Sequence, residues 1–320
     1  MKSFQYIVWC VAVLLTACTH VPEMKVPVHE CAAPSEGRAS AICFAADSMI
    51  HVVGGRIQNG SFCSTMLLYD ARYDQWKETG TLPFPPRVNG VACVTPNGVY
   101  LGLGWSGGNS DVPSTYAHDW WRYDPINDTW AQMANCPSVQ TAGAVSWYYD
   151  QCVWIASAFQ GYTNDIWRYD IASDSWSQAN DKNPLRVMAP VAAQSKGRYF
   201  IGTGFYKQSR SDWWEWLGEG KWEQRASVPG NGRHNAACSG TKSSVWIFGG
   251  WHYGDSLTHG FHYEDILRYS PDEDKWTLCG TLPCGTMENG VACTIGNRVY
   301  FGLGEDKKGM IHTKWYYIEE

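Results

Sequence analysis

The chain has no Cys-x-x-Cys pair, no run of basic residues and no apolar stretch long enough to cross a bilayer. The first absence argues against a structural zinc site. The second, with a formal charge of −6, argues against nucleic acid as a partner. The third leaves no membrane-spanning helix. Charged residues are also scarce, at 18%, but 32 Gly and 18 Trp rule out a disordered composition. Abundant Gly and Trp with modest charge point to many short strands joined by tight turns. At 320 residues the chain makes one or two ordinary domains, or one large all-β domain, with ample length to bury a core.

The N-terminus reads as a targeting segment. MKSFQYIVWCVAVLLTAC carries one Lys and then an apolar run from Tyr6 to Leu15. That run is too short to span a bilayer and suits the apolar core of a secretory signal. It ends in Leu15-Thr16-Ala17-Cys18, which resembles a bacterial lipobox. The resemblance implies a signal peptide over 1–17, cleavage before Cys18, lipidation of that residue and a short tether over 18–28. The expected location is the cell envelope, at the outer membrane, since Thr19 offers no obvious inner-membrane retention signal. Removing 1–17 deletes one Lys and no acid, leaving 24 Lys+Arg against 31 Asp+Glu, a formal charge of −7.

Ten cysteines remain in the mature chain, in a compartment that permits disulfides. Cys43, Cys93, Cys238 and Cys293 share apolar contexts and read as small buried residues on equivalent strands. Cys279 and Cys284, in CGTLPC, are spaced so that they could bridge.

Three elements recur along the chain. An apolar run ending in glycine appears as HVVGG (51–55), VYLGLG (99–104), YFIGTG (199–204), VWIFGG (245–250) and VYFGLG (299–304), with VWIASA (153–158) in the remaining slot. Tyr69-Asp70 precedes Trp76, Tyr123-Asp124 precedes Trp130, Tyr169-Asp170 precedes Trp176, and Tyr269-Ser270 precedes Trp276. The fourth copy keeps Trp222 and loses the Tyr-Asp pair. Each copy opens on RASAIC (38), RVNGVAC (87), QTAGAV (140), RVMAPVA (186), RHNAAC (233) or MENGVAC (287), at spacings of 49, 53, 46, 47 and 54 residues. Six copies of four short strands describe an all-β, six-bladed propeller over 29–320. The glycines, Tyr and Trp resemble the kelch repeat, with the third and fourth copies degenerate. The sixth copy ends before its fourth strand, so the segment around 26–36 is expected to supply it and close the last blade.

The alternation of strands puts the opening elements and the post-glycine loops on one rim. That rim would carry Arg38, Arg87, Arg186, Arg233, Asn89, Asn235, Asn289, Arg56, Trp105 and Trp251, with Glu288 and His234 among them. Converging guanidinium groups suit a carboxylate, and aromatic faces with amides suit a sugar. An exported six-bladed kelch propeller resembles the N-acetylneuraminate mutarotase (epimerase) family. The resemblance implies a cofactor-independent isomerase with an acidic, sialic-acid-like ligand, the arginines holding its carboxylate, and Glu288 and His234 as acid and base. A non-catalytic glycan- or protein-binding module on a lipid anchor is the alternative. A galactose-oxidase-like copper site would need Cys63, Tyr116, His118 and Tyr253 to converge, and no local pattern joins them. His252, His259 and His262, with Asp255 or Glu264, match no common metal motif. No metal or other cofactor is therefore expected.

Overall fold

A computed structural model describes residues 21–106, 115–138, 142–156, 164–254 and 259–320, excluding the side chains of 180 and 181. The expected signal peptide and Cys18 lie outside the described residues. Every described element is a strand. Six four-stranded antiparallel sheets follow one another along the chain. Their first strands are Ile42–Ala46, Val91–Thr95, Val145–Tyr149, Val191–Ser195, Ala237–Gly240 and Val291–Ile295. Neighbouring first strands contact one another around the whole ring, including the first with the sixth. This is a six-bladed propeller.

The sixth blade is closed as the sequence predicts. His29–Glu30 lies antiparallel to Trp315–Glu319, with His29 opposite Tyr317 and Glu30 opposite Tyr316. The Cys31 amide then donates to the Trp315 carbonyl at 2.9 Å. The expectation of a free tether over 18–28 needs correction from Pro22 onward. The Leu278 amide donates to the Pro22 carbonyl at 2.8 Å, and the amides of Met24 and Val26 donate to the carbonyls of Leu278 and Cys279 at 2.9 and 3.0 Å. These residues run beside the outer strand of the fifth blade, with one parallel bridge between Glu23 and Leu278. Unpaired amides on its outer strand, and the apolar side chains of Val26 and Val28 that pack on the core between blades five and six, draw the segment in.

The recurring aromatics hold blades together. The hydroxyls of Tyr69, Tyr123, Tyr169 and Tyr269 donate to Asp74, Asp128, Asp174 and Asp274 at 2.7–2.9 Å. Each Asp sits two residues before the Trp, in a left-handed turn that short polar side chains tolerate. In three blades the motif reaches its neighbour. Trp76, Trp176 and Trp276 donate their indole N–H to the carbonyls of Ala32, Ala134 and Ala226, at 2.7–2.8 Å. Asp74, Asp174 and Asp274 accept the amides of those same residues. Blade four has Trp216 in the Tyr position, and Gly220 where the others have Asp.

Candidate functional site

Five bridges line up the rim. Ala39 pairs with Arg56, Val88 with Trp105, Met188 with Phe205, His234 with Trp251 and Glu288 with Glu305. The residue after each opening member is left-handed: Ser40, Asn89, Ala189, Asn235 and Asn289, with Gly143 in blade three, at φ between 48° and 67°. These six positions form an inner ring. The Asn89 amide donates to the Ser40 carbonyl (2.9 Å), Gly143 to Asn89 (2.7 Å), Asn289 to Asn235 (2.9 Å) and Ser40 to Asn289 (2.8 Å). The second glycine of each pair makes this close approach possible. A Cβ on Gly104 or Gly304 would lie 2.5 Å from the carbonyl oxygen of Val88 or Glu288. Side chains of the ring and its upper tier line an open funnel of about 490 Å³, with Asn89, Asn235 and Asn289 below and Trp105, Tyr116 and Met188 around it.

Three of the four predicted arginines are not available to a ligand. Arg38, Arg87 and Arg233 are completely buried. Arg87 grips Asp119 with both terminal nitrogens (2.8 and 2.7 Å), and Arg233 grips Asp265 in the same way (2.6 and 2.8 Å). Arg38 binds Glu78 and Thr65 at 3.0 Å. Each also donates to the carbonyl just before the second glycine, at Gly54, Leu103 and Gly249. They clamp the second and third strands of their own blades. Burial alone would raise the Asp119 carboxyl, but Arg87 outweighs it and holds the group below its usual range. Arg186 corrects a further expectation. The left-handed position in blade four is Ala189, so Val187, not Arg186, occupies the clamp position, and Val187 is buried. Arg186 is exposed, with its guanidinium over Tyr206 at 5.5 Å.

The acid–base pairing also differs from expectation. Glu288 Oε1 lies 3.2 Å from Nε2 of His262, not from His234. Both partners are 16% exposed. His234 is buried, with Nδ1 3.2 Å from the Ser209 hydroxyl. Burial, and then the charges of His252 and His262, push its pKa down to about 4, so at neutral pH it is an uncharged ring. It serves as part of an aromatic wall: Phe205 and Trp251 lie 5.2 and 5.1 Å away, and Tyr253 contacts both. His262 stacks on Trp251 at 5.8 Å and 15°. Arg56 reaches Glu305 with one nitrogen 2.7 Å from each oxygen, and the Asn289 amide donates to the same carboxylate at 2.9 Å. Neither His262 as the partner of Glu288 nor Glu305 as the partner of Arg56 follows from spacing in the sequence. A common slot in successive repeats is the signal that marks Glu305, because it aligns with Arg56 and Trp251.

The remaining candidates separate. His252 is buried with Nδ1 3.0 Å from the Gly232 carbonyl, while His259 is exposed and Asp255 lies outside the described residues. Among the described residues no three His, Cys, Asp or Glu side chains converge as metal ligands. Cys63 lies in blade one near the Arg38 clamp, Tyr116 meets Trp105 at 4.7 Å in blade two, and Tyr253 belongs to blade five. Cys279 and Cys284 are both free thiols.

No protein-family model matches the chain. Kelch-like protein 23 of Homo sapiens is 24% identical over 259 residues, 76% of this chain and 42% of that protein. Its Pongo abelii counterpart is 25% identical over the same shares. The chain thus spans about two-fifths of the length of these curated relatives. The solved structure described as "Structure of YjhT" superposes with a TM-score of 0.74 at 15% identity, covering 90% of this chain and 95% of that one. With the repeated glycine, Tyr and Trp elements, these likenesses identify the fold as a kelch-type β-propeller.

Proposed function

We propose that this propeller binds a carbohydrate in its central funnel and that Glu288 with His262 makes the funnel competent for sugar mutarotation. One observation carries the reading: a carboxylate and an imidazole 3.2 Å apart, partly exposed, beside the exposed edge of an aromatic wall. Trp105 and Tyr116 in the funnel wall, and Trp251 and Tyr253 in the post-glycine loop of blade five, offer faces for a pyranose ring, and Asn89, Asn235 and Asn289 offer amides for its hydroxyls. Mutarotation breaks and remakes one ring C–O bond. Glu288 takes the anomeric hydroxyl proton while the imidazolium form of His262 gives one to the ring oxygen. The open carbonyl form turns about its C–C bond and recloses with the two roles exchanged. The step has no net redox change and consumes nothing. With three arginines clamped inside blades, stacking and amide hydrogen bonds dominate recognition. An acidic, sialic-acid-like sugar would have to draw Arg56 away from Glu305. The lipobox-like Leu15–Cys18 supports a lipid anchor on Cys18 and a place in the cell envelope, so the funnel would serve extracytoplasmic sugars.

The test is an anomeric time course by NMR on the chain from Thr19 onward, with freshly dissolved α-anomers of neutral hexoses and of N-acetylneuraminate. The reading expects relaxation faster than buffer, reduced about a hundredfold or more in Glu288→Gln. Ligand line-broadening without acceleration would leave a non-catalytic glycan-binding module. Neither effect with any sugar would remove carbohydrate from consideration and direct attention to a protein partner.

A further inference from the structure

The seam between the first and last blades differs from the other five in its cysteines. Cys43 and Cys238 occupy the same slot of their first strands, opposite Val52 and Ile247. Cys93 and Cys293 occupy the next slot along, opposite Tyr100 and Tyr300. Adjacent slots face opposite sides of a blade. Cys43 therefore packs toward blade six, and Cys293 toward blade one, in a single cluster with Val291 and Tyr300. Cys238 packs against blade four, where its cluster holds no second cysteine, and Cys93 packs against blade three in a cluster that also holds Cys136, with no sulfur–sulfur contact between them. Among the described residues, the two sulfurs in contact are those of Cys43 and Cys293, 3.2 Å apart at the seam that closes the ring.

We propose that Cys43 and Cys293 form a disulfide that locks the first blade to the last. The sulfurs must approach by about 1.2 Å to reach a bonding distance of about 2.05 Å, a movement within reach of side-chain rotation on two strands already in contact. The chemistry is thiol–disulfide exchange with an external disulfide, either glutathione disulfide or the active-site disulfide of an oxidoreductase. One thiolate attacks it to give a mixed disulfide and releases one thiol. The second thiolate then displaces the other half, so two electrons and two protons leave with the reduced oxidant. Burial pushes the Cys43 thiol well above its ordinary range, so the bond forms while the ring is closing or briefly open, not in the sealed seam. Once formed, it joins positions 250 residues apart, with the Cys293 half buried and the Cys43 half partly exposed.

The test uses the chain from Thr19 onward, which contains every described residue and ten cysteines. Unfolded, reduced protein is refolded either in dithiothreitol or in a glutathione/glutathione disulfide buffer. Thiols are counted after denaturation, and non-reduced proteolytic fragments are identified by mass spectrometry. The glutathione sample should show two fewer thiols and a linked fragment pair containing Cys43 and Cys293. It should also unfold in urea at least tenfold more slowly than its reduced counterpart. Cys43→Ala and Cys293→Ala should each abolish that difference, whereas Cys279→Ala should keep it. A full complement of ten thiols after glutathione refolding, or a link between any other pair, would overturn the proposal. The fragment analysis uses the unmutated chain, so it decides the matter even if a variant folds poorly.

Discussion

Arg233 offers the sharpest test of the distinction between clamp and ligand site. Its side chain is fully buried and makes four hydrogen bonds: to Asp265 at 2.6 and 2.8 Å, to the Gly249 carbonyl at 2.8 Å and to the Pro229 carbonyl at 3.1 Å. Its guanidinium also lies 3.7 Å from the centre of the Tyr263 ring. Arg233→Met fills similar space and leaves Asp265 and the carbonyls without their donor. Breaking a buried ion pair from one side costs ~3–5 kcal/mol. Asp265 is 21% exposed and water can reach it, so the lower end applies, about 3 kcal/mol. With a urea m-value of about 3 kcal/mol/M for a chain this long, the unfolding midpoint should fall by about 1 M. The double variant Arg233→Met/Asp265→Leu should recover part of the loss, because the stranded carboxylate is gone. Arg56→Met is the counterpart: that side chain is 31% exposed, and Glu305, though only 10% exposed, keeps the Asn289 amide as a donor, so its stability cost should stay below that of Arg233→Met. A midpoint for Arg233→Met indistinguishable from the parent would refute the reasoning, most clearly if ligand binding were lost at the same time.

Two further outcomes follow from buried groups. Burial lowers His51 and His234 to about 4, below the ~6.5 of an unfolded chain, so unfolding takes up protons on both. Their contribution is fully present above pH 6.5 and is lost as pH falls toward 4. From pH 7 to pH 5 each should remove roughly 2 kcal/mol, seen as a lower urea midpoint; His51→Phe, which keeps the stack on Phe44, should cut the drop by about half. An equal drop in the variant would assign the pH dependence elsewhere. Asp274→Ala should lower stability by about 2 kcal/mol, since it strands the Tyr269 hydroxyl and the Ala226 amide together. Asp128→Ala loses only the Tyr123 bond recorded for that carboxylate and should cost about half as much, as equilibrium denaturation would show.

The blades were legible because three elements recur at a common spacing, so a copy that has lost one is still placed by the others. Glycine before the third strand, the Tyr-Asp pair ahead of Trp, and the missing fourth strand of the last copy all fix positions in space. The arginines misled because the sequence shows a long cationic side chain but not which way it points. A signal was present: Asp119 and Asp265 each follow their Arg by 32 residues, a repeated spacing expected of a clamp inside a blade. Blade four misaligned by one because RVMAP imitates RVNG while Val187 takes the buried position. The Glu288–His262 contact joins an opening element to a loop of the preceding blade, 26 residues away, and only the ring geometry brings them together. The parallel bridge of Glu23 to Leu278, with the flanking hydrogen bonds of Pro22, Met24 and Val26, has no counterpart in the other repeats, so no pattern could announce it.

The way the ring is sealed sets an order of events during biosynthesis. His29 finds its partner at Tyr317, and Met24 at Leu278, so the earliest segments of the chain wait for nearly the last. Contacts this distant in sequence form slowly and late. Until residues 315–319 emerge, blade six presents unpaired edges and the seam at Cys43 lies open to water, proteases and oxidants. A chain cut short near its end would keep five blades yet never close. Closure of the ring thus reports that synthesis has passed residue 319, and copies halted before it remain exposed to degradation.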